Sequence, residues 1–308
     1  MSYTTRIKNE IAEIESTKSE MIAEISGFIR NNGYIENNIL YLTTENTIIL
    51  NRLIEYITYL YDVKPKISSK NNLNFSKNKL NLLIIEEKVD FILEDIGYYS
   101  KDKKYLSSPP NYIVGSNEEI RAYLRGVFLC QGSINDPKTS YHMELLIDKP
   151  EEGVFVQRLL NIFELNAKIL TRNNGYMIYI KEADKISDYL KILRANKAVL
   201  YFEDIRIYHE EKNKANRLNN CEQANIDKVI QTANDQLNYI KIIEENMGKE
   251  LLDEKTREAL EYRKKYPETS LKELSEIISI ETGKPITKSG LNHRFRKIKE
   301  LATKFQNS

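Results

Sequence analysis

The chain reads Arg121-Ala122-Tyr123-Leu124-Arg125-Gly126-Val127-Phe128-Leu129-Cys130-Gln131-Gly132-Ser133-Ile134, and this stretch decides the fold because an earlier segment repeats it. The earlier copy is Ile22-Ala23-Glu24-Ile25-Ser26-Gly27-Phe28-Ile29-Arg30-Asn31-Asn32-Gly33-Tyr34-Ile35. A shift of 99 positions aligns both glycines and the closing isoleucine, since 126 − 27, 132 − 33 and 134 − 35 all equal 99. Two copies of one unit in a single chain predict a pseudo-symmetric domain.

Length and composition set the class of protein. A chain of 308 residues predicts two or more domains, and a hydrophobic content of 41% supports a packed core. No apolar stretch reaches the length of a membrane span, and residues 1–23 lack the apolar centre of a signal peptide. Two cysteines, Cys130 and Cys221, fit neither a disulfide framework nor a zinc site. We therefore expect a cytoplasmic protein.

The formal net charge of +1 conceals an uneven distribution along the chain. Residues 255–308 contain 13 Lys and Arg against 7 Asp and Glu, a net charge of +6. The remaining residues contain 46 − 13 = 33 basic and 45 − 7 = 38 acidic side chains, a net charge of −5. A basic C-terminal segment on a mildly acidic body indicates a polyanionic partner, although a solvated helix face would show the same charge.

Periodicity predicts an opening amphipathic helix within Tyr3 to Thr17, and then the same order of elements, αββαββα, in the rest of residues 1–110 and in residues 111–205. In the first half, Asn46 is the expected N-cap of a helix that runs to about Asp62. In the second half, Pro150 begins a helix, and Asn173-Asn174-Gly175 is typical of a β-hairpin turn. Neither half has enough sheet to bury both of its faces, so the two halves should form one α+β domain.

The glycine-marked segments resemble the LAGLIDADG motif of homing endonucleases. In a helix, residues as small as Gly27 and Gly126 allow the backbones of two helices to approach each other closely. The resemblance implies two such helices packed side by side at the centre of a saddle. It also implies an acid before the last glycine of each copy, where the pair of acids holds divalent metal ions beside the scissile phosphates.

Neither acid is present in this chain, where the two positions are Asn32 and Gln131. Neutral amides are poor ligands for a hard cation and bring no charge to balance it. We therefore expect a domain without catalytic residues, bound metal or cofactor. The alternative is an active endonuclease with non-standard metal ligands, for which Asp136 is a weak candidate because a turn before Pro137 explains it.

The C-terminal segment predicts a helix-turn-helix. Ser270 and Glu273 form a capping box, and a final helix begins near Lys288. Leu291, Phe295, Ile298 and Ala302 give this final helix a buried stripe. The opposite face suits the major groove and carries Lys288, Ser289, Asn292, His293 and Arg296. The flanking residues Arg294, Lys297 and Lys299 suit phosphates, and the connection between the two helices is longer than a tight turn.

The whole chain resembles the WhiA family of bacterial DNA-binding regulators. The most specific matches are Tyr123 to Gly126, Gly132 to Pro137, Tyr141-His142, Asn219 to Asn225 and Lys288 to Arg294. The resemblance implies a catalytically silent LAGLIDADG-like domain, a connector at 206–225, and a helical linker with helix-turn-helix at 226–308. It further implies a nucleoid-associated transcription regulator linked to cell division, chromosome segregation or sporulation. Double-stranded DNA is the expected partner, and the choice between a second DNA segment and a protein partner at the LAGLIDADG-like domain stays open.

Overall fold

A computed structural model of the protein describes residues 1–70, 80–172 and 175–306. The chain divides into two compact units, Met1–His209 and Glu210–Ser308. The first unit mixes helices and strands, and the described part of the second is helical, which confirms the predicted α+β architecture with a helical C-terminal part. The helices before the first sheet and within the first half are α1 (Tyr3–Ile11), α2 (Lys18–Asn32), α3 (Thr47–Tyr61) and α4 (Val89–Asp95).

Two four-stranded antiparallel sheets have the same strand order. The first follows β1-β2-β4-β3, and its strands are β1 (Tyr34–Glu36), β2 (Ile39–Thr44), β3 (Lys66–Lys70) and β4 (Leu80–Ile85). The second follows β5-β6-β8-β7, and its strands are β5 (Gly132–Ile134), β6 (Met143–Ile147), β7 (Lys168–Arg172) and β8 (Gly175–Ile180). The helices of this second half are α5 (Asn117–Gln131), α6 (Pro150–Ile162) and α7 (Ala183–Ile192). The predicted order αββαββα is therefore confirmed in both halves.

The hairpin of the second half is confirmed at its base. Strands β7 and β8 pair antiparallel, with Arg172 opposite Gly175. The turn residues that the sequence pattern singled out, Asn173 and Asn174, lie outside the described residues. The predicted N-cap at Asn46 is also confirmed. Its side chain accepts hydrogen bonds from the backbone N–H groups of Ile48 and Ile49 at the start of α3.

Helices α2 and α5 begin and end at equivalent positions. Their bounds differ by 117 − 18 = 131 − 32 = 99 residues, the shift that aligns the two sequence copies. A capping box starts each helix, formed by Thr17 and Glu20 in one copy and by Ser116 and Glu119 in the other. The second glycine of each copy follows directly and turns the chain into a strand. Local sequence signals thus fix the length of both helices before any packing is considered.

The first glycine of each copy lies where the two helices touch. A Cβ atom built on Gly27 would lie 2.3 Å from the carbonyl oxygen of Tyr123, and one built on Gly126 would lie 2.0 Å from that of Glu24. Tyr123 is the equivalent of Glu24 after the 99-residue shift, so the two contacts are reciprocal. The contact is made by backbone on both sides, and no side chain can give way there.

Buried ion pairs cross between the halves beside this contact. Glu24 of α2 accepts from Arg125 of α5 at 3.0 Å and from Arg52 of α3 at 2.6 Å. Arg30 of α2 donates to Glu152 of α6 at 2.7 Å. All five side chains are buried, and a buried charge is tolerated only when a partner neutralises it. Two of these pairs, Glu24–Arg125 and Arg30–Glu152, join the two halves, and separation of the halves would leave their charges without these partners.

One long helix, α8 (Asn196–Asn246), extends from the end of the first unit into the second. The segment 206–225, which the sequence indicates as a connector with some helix, lies entirely inside it, and the predicted boundary at 205/206 falls within a regular element. After α8 the chain forms a short 3-10 helix at Lys249–Leu251, followed by α9 (Glu254–Lys265), α10 (Leu271–Thr282) and α11 (Lys288–Gln306). Among helices in the described ranges, none combines the length and the hydropathy needed to cross a bilayer.

The reciprocal glycine contact leads to a stability prediction. Replacement Gly126→Ala places a methyl group against the Glu24 carbonyl, so we expect the free energy of unfolding of the first unit to fall by at least about 3 kcal/mol. The matched control is Gly153→Ala in α6, where the nearest atoms to the added carbon lie at 3.4 Å. The control should change the free energy of unfolding by no more than about 1 kcal/mol. Urea unfolding followed by circular dichroism measures both, and an unchanged Gly126→Ala variant would show that the helices do not touch here.

Candidate functional site

Helix α11 begins after a five-residue connection, 283–287, which is longer than a tight helix-turn-helix turn. Gly283 ends α10 with a left-handed φ of +67°. The Ser279 hydroxyl of α10 accepts a hydrogen bond from the backbone N–H of Ile286 at 2.9 Å and so fixes the middle of the connection. Thr287 then caps α11, because its hydroxyl accepts from the backbone N–H of Gly290 at 3.1 Å. The start of α11 is therefore held by side chains on both sides of the connection.

The two faces of α11 separate as the sequence pattern predicts. Leu291, Phe295, Ile298 and Ala302 are buried against the helices of the second unit. The residues that the sequence assigns to the outer face are exposed along α11, and they are Lys288, Ser289, Asn292, His293 and Arg296. Their functional groups are an ammonium, a hydroxyl, an amide, an imidazole and a guanidinium. Groups of these kinds donate to and accept from base edges in the major groove.

Two of the predicted phosphate-binding residues, Arg294 and Lys297, form ion pairs with residues at the start of α9. The guanidinium of Arg294 pairs with the carboxylate of Glu258 at 2.6 Å and donates to the Lys255 carbonyl at 3.1 Å. The ammonium of Lys297 bonds the carboxylate of Asp253, which in turn caps α9. The bond to Lys297 holds the pKa of Asp253 well below its usual range. Both side chains therefore link α11 to the start of α9, and the side chain of Lys297 stays half exposed in its pair.

The second candidate site is the place where α2 and α5 end side by side. Asn32 and Gln131 occupy the last position of each helix. The Asn32 amide accepts from the Thr43 backbone N–H at 2.7 Å and donates to the Thr43 hydroxyl at 3.2 Å. The Gln131 amide donates to the carbonyl of Asn31 at 3.5 Å. Both amides are thus held by hydrogen bonds to uncharged groups, Asn32 to β2 and Gln131 to the end of α2.

These helix ends line a cavity of about 660 Å³ that also contains Lys8 of α1. The Lys8 ammonium donates to the carbonyl oxygen of Cys130 at 3.5 Å. Burial lowers the pKa of Lys8 to about 8 and raises the pKa of the Cys130 thiol to about 12. At neutral pH, Lys8 is therefore mainly a cation and Cys130 stays a thiol.

The residues at the helix ends do not fit a divalent metal ion. Within residues 1–70, 80–172 and 175–306, His, Cys, Asp and Glu side chains form no group of three or more that could hold one. The amides of Asn32 and Gln131 bring no negative charge, and the ammonium of Lys8 repels a metal cation. The metal centre that a LAGLIDADG nuclease requires is thus not supported by these side chains.

The outward faces of the two sheets mix apolar and charged side chains. In the first sheet, Tyr34, Tyr41, Ile84 and the exposed Lys66 occupy one cross-strand row, and the two tyrosine rings lie 6.0 Å apart. In the second sheet, Leu146 and Leu170 flank Met177 in another row, with 38% and 50% of their surfaces exposed. Of these two rows, only that of the first sheet carries a cation of the kind that binds phosphate.

Sequence comparisons assign each part of the chain to one family. Family profiles match at residues 18–99 (WhiA N-terminal LAGLIDADG-like domain), 120–212 (WhiA LAGLIDADG-like domain) and 215–302 (WhiA C-terminal HTH domain). A "Probable cell division protein WhiA" from Staphylococcus epidermidis is 38% identical, and the match covers 100% of this chain and 98% of the relative. The chain belongs to the WhiA family. A WhiA relative of the same printed name from Lysinibacillus sphaericus is 39% identical over 98% of this chain and 96% of its own length.

A solved WhiA structure has the same fold. Full-length DUF199/WhiA from Thermatoga maritima superposes with a TM-score of 0.60 at 22% identity, covering 99% of this chain and 98% of that one. The LAGLIDADG-like domain and the HTH domain predicted from the sequence are thus both confirmed as parts of a WhiA protein.

The sequence gives no sign of the role of Lys8, but it does give a sign of the buried ion pair of Arg125. In the sequence, Lys8 is only a polar position next to Ile7 in the opening helix, and nothing in the pattern connects it to Cys130, which is 122 residues away. The buried residue Arg125 does give a signal, since it lies directly before Gly126 inside an apolar helix. A cation at that position indicates a buried acid elsewhere in the fold.

Proposed function

We propose that this WhiA-family chain is a sequence-specific DNA-binding transcription regulator whose helix α11 reads base edges in the major groove. One observation carries the proposal: the polar face of α11, with Ser289, Asn292, His293 and Arg296, is exposed while its apolar stripe is buried. Asn292 suits adenine and Arg296 suits guanine, because their side chains can make paired hydrogen bonds to those bases. Lys288, at the first position of α11, suits a phosphate.

In this proposal, Arg294 and Lys297 orient α11 and do not contact the DNA bases. Their pairs with Glu258 and Asp253 hold α11 against α9 and so set the angle at which the exposed face is presented. The relatives' printed name supports a role in cell division, and we extend the proposal to regulation of that process at the nucleoid. Roles in chromosome segregation or sporulation rest on the family resemblance alone.

The α11 assignment predicts a loss of specific DNA binding. The variant His293→Ala/Arg296→Ala should bind an oligonucleotide selected by the natural protein at least about tenfold more weakly, because each base contact is worth about 1–3 kcal/mol. The control is Lys241→Ala in α8, a 75%-exposed lysine of the same unit that pairs with Glu245 at 3.9 Å. This control removes the same formal charge and should leave specific affinity within about twofold. Fluorescence anisotropy at fixed salt measures both, and equal affinity of the double variant and the natural protein contradicts the assignment.

We further propose that the LAGLIDADG-like domain does not cleave DNA. Support comes from the neutral amides at positions 32 and 131 and from the cation of Lys8 beside them. The LAGLIDADG mechanism of phosphodiester hydrolysis uses divalent metal ions, which such a site would repel.

If the domain does not cleave DNA, the full chain should leave a randomised DNA library intact in the presence of Mg²⁺ or Mn²⁺, with a commercial endonuclease in the same buffer as the positive control. The rival hypothesis, an endonuclease with unusual metal ligands, predicts that the library is cut. Sequencing of the fragment ends detects rare cuts. Cleavage at a defined sequence would establish the rival.

We propose a protein partner on the second sheet, because Leu146 and Leu170 form an exposed apolar row there with Met177 between them. A photo-crosslinking residue at position 170, on the row of Leu146 and Met177, should yield an adduct of one defined protein mass in cells. The matched position is Tyr59 of α3, whose surface is 69% exposed but lies outside both sheets. It should yield none of that adduct. Crosslinks from position 170 to DNA, or identical products from both positions, would refute a protein partner on this face.

A further inference from the structure

Helix α1 brings a single lysine to the joined ends of α2 and α5. The hydroxyl of Tyr3 donates to the Ala198 carbonyl at 3.0 Å, and the Thr4 hydroxyl donates to the Ile134 carbonyl at 2.8 Å. These bonds fasten α1 to the second half of the domain. From there Lys8 reaches the carbonyl of Cys130, and its ammonium lies 5.7 Å from the centroid of the Phe128 ring.

The groups around Lys8 attract a cation, and this attraction opposes the burial that lowers the pKa of Lys8. The C-terminal end of a helix carries partial negative charge on its unpaired carbonyls, and two helices end here together. Among the described residues that line the cavity, Lys8 brings the positive charge and Glu45 the negative one, and the others are neutral. Amide oxygens of Asn32 and Gln131 stand where the acids of a LAGLIDADG nuclease would be.

We propose that the ammonium of Lys8 takes the place of the divalent cation between the ends of the two glycine helices. One positive charge then balances the carbonyl ends without any acid at positions 32 and 131. The same charge keeps metal ions away from the site. This inference concerns the first unit and does not depend on DNA binding by α11, so each can fail without the other.

Restoring the two acids tests the proposal. In Asn32→Asp/Gln131→Asp, Lys8 should pair with the new carboxylates and exclude Mn²⁺. Adding Lys8→Met should free the acids, and Mn²⁺ should then bind the full chain at least about tenfold more tightly than it binds the two-acid variant. The matched control adds Lys18→Met instead, because Lys18 is an exposed lysine at the opposite end of α2. Isothermal titration with MnCl₂ and electron paramagnetic resonance of bound Mn²⁺ measure the affinities.

If none of these variants binds Mn²⁺, their unfolding equilibria in the absence of metal test the proposal. In the natural background, Lys8 neutralises the two new acids, and in the Lys8→Met background nothing replaces that charge. The factor by which the two acids raise the unfolding equilibrium constant should therefore be at least about tenfold smaller in the natural background. The Lys18→Met background should behave like the natural one. Equal shifts with and without the Lys8→Met substitution, or equal Mn²⁺ affinity in the two backgrounds, would overturn the proposal.

Discussion

The close approach of α2 and α5 at Gly27 and Gly126 is the constraint on which the first unit depends. Each added Cβ would lie within 2.3 Å of a backbone oxygen in the opposite helix, so the contact leaves no space for any side chain. Because both helices have 15 residues and cross at equivalent glycines, their ends necessarily lie together. The position of Asn32 beside Gln131 therefore follows from a backbone contact made more than a turn earlier in each helix.

The approximate symmetry of the domain is broken where charge is buried. In the first half, Glu24 of α2 pairs with Arg52 of α3. At the equivalent place in the second half, Tyr123 of α5 meets the ring of Phe155 of α6 edge-on, with centroids 5.8 Å apart, and its hydroxyl donates to the buried carboxylate of Glu152. The acid Glu24 of the first half is shared with Arg125 of the second, and Glu152 of the second half pairs with Arg30 of the first, so each half supplies partners for buried charges of the other. Sharing of this kind makes the two halves fold together, because a buried acid with a missing partner costs several kcal/mol.

Local signals in the sequence predict most of this fold, and long-range pairs account for the rest. The capping boxes of α2 and α5, the N-cap at Asn46 and the stripe that begins at Leu291 each act over a few residues, so their spacing is sufficient. The contact at Gly27 and Gly126 is long-range, and it could be predicted only because the sequence repeats itself. The bond from Lys8 to Cys130 spans 122 residues, and no periodicity encodes it. Arg294 shows the same limit: its place on α11 follows from the sequence, but its engagement with Glu258 depends on how α9 packs. The continuity of α8 does not follow from the sequence, because the middle of this helix is polar on all sides, a pattern that also suits a connector.

The same geometry explains how a domain of this fold can lose acids and keep its structure. The glycine contact lies inside the helices, whereas positions 32 and 131 are their last residues, so a side chain can change at the ends without moving the crossing. Asn32 satisfies both of its polar atoms on Thr43, which removes the need for an ion to hold it. Stability of the scaffold and chemistry at its helix ends are therefore separable.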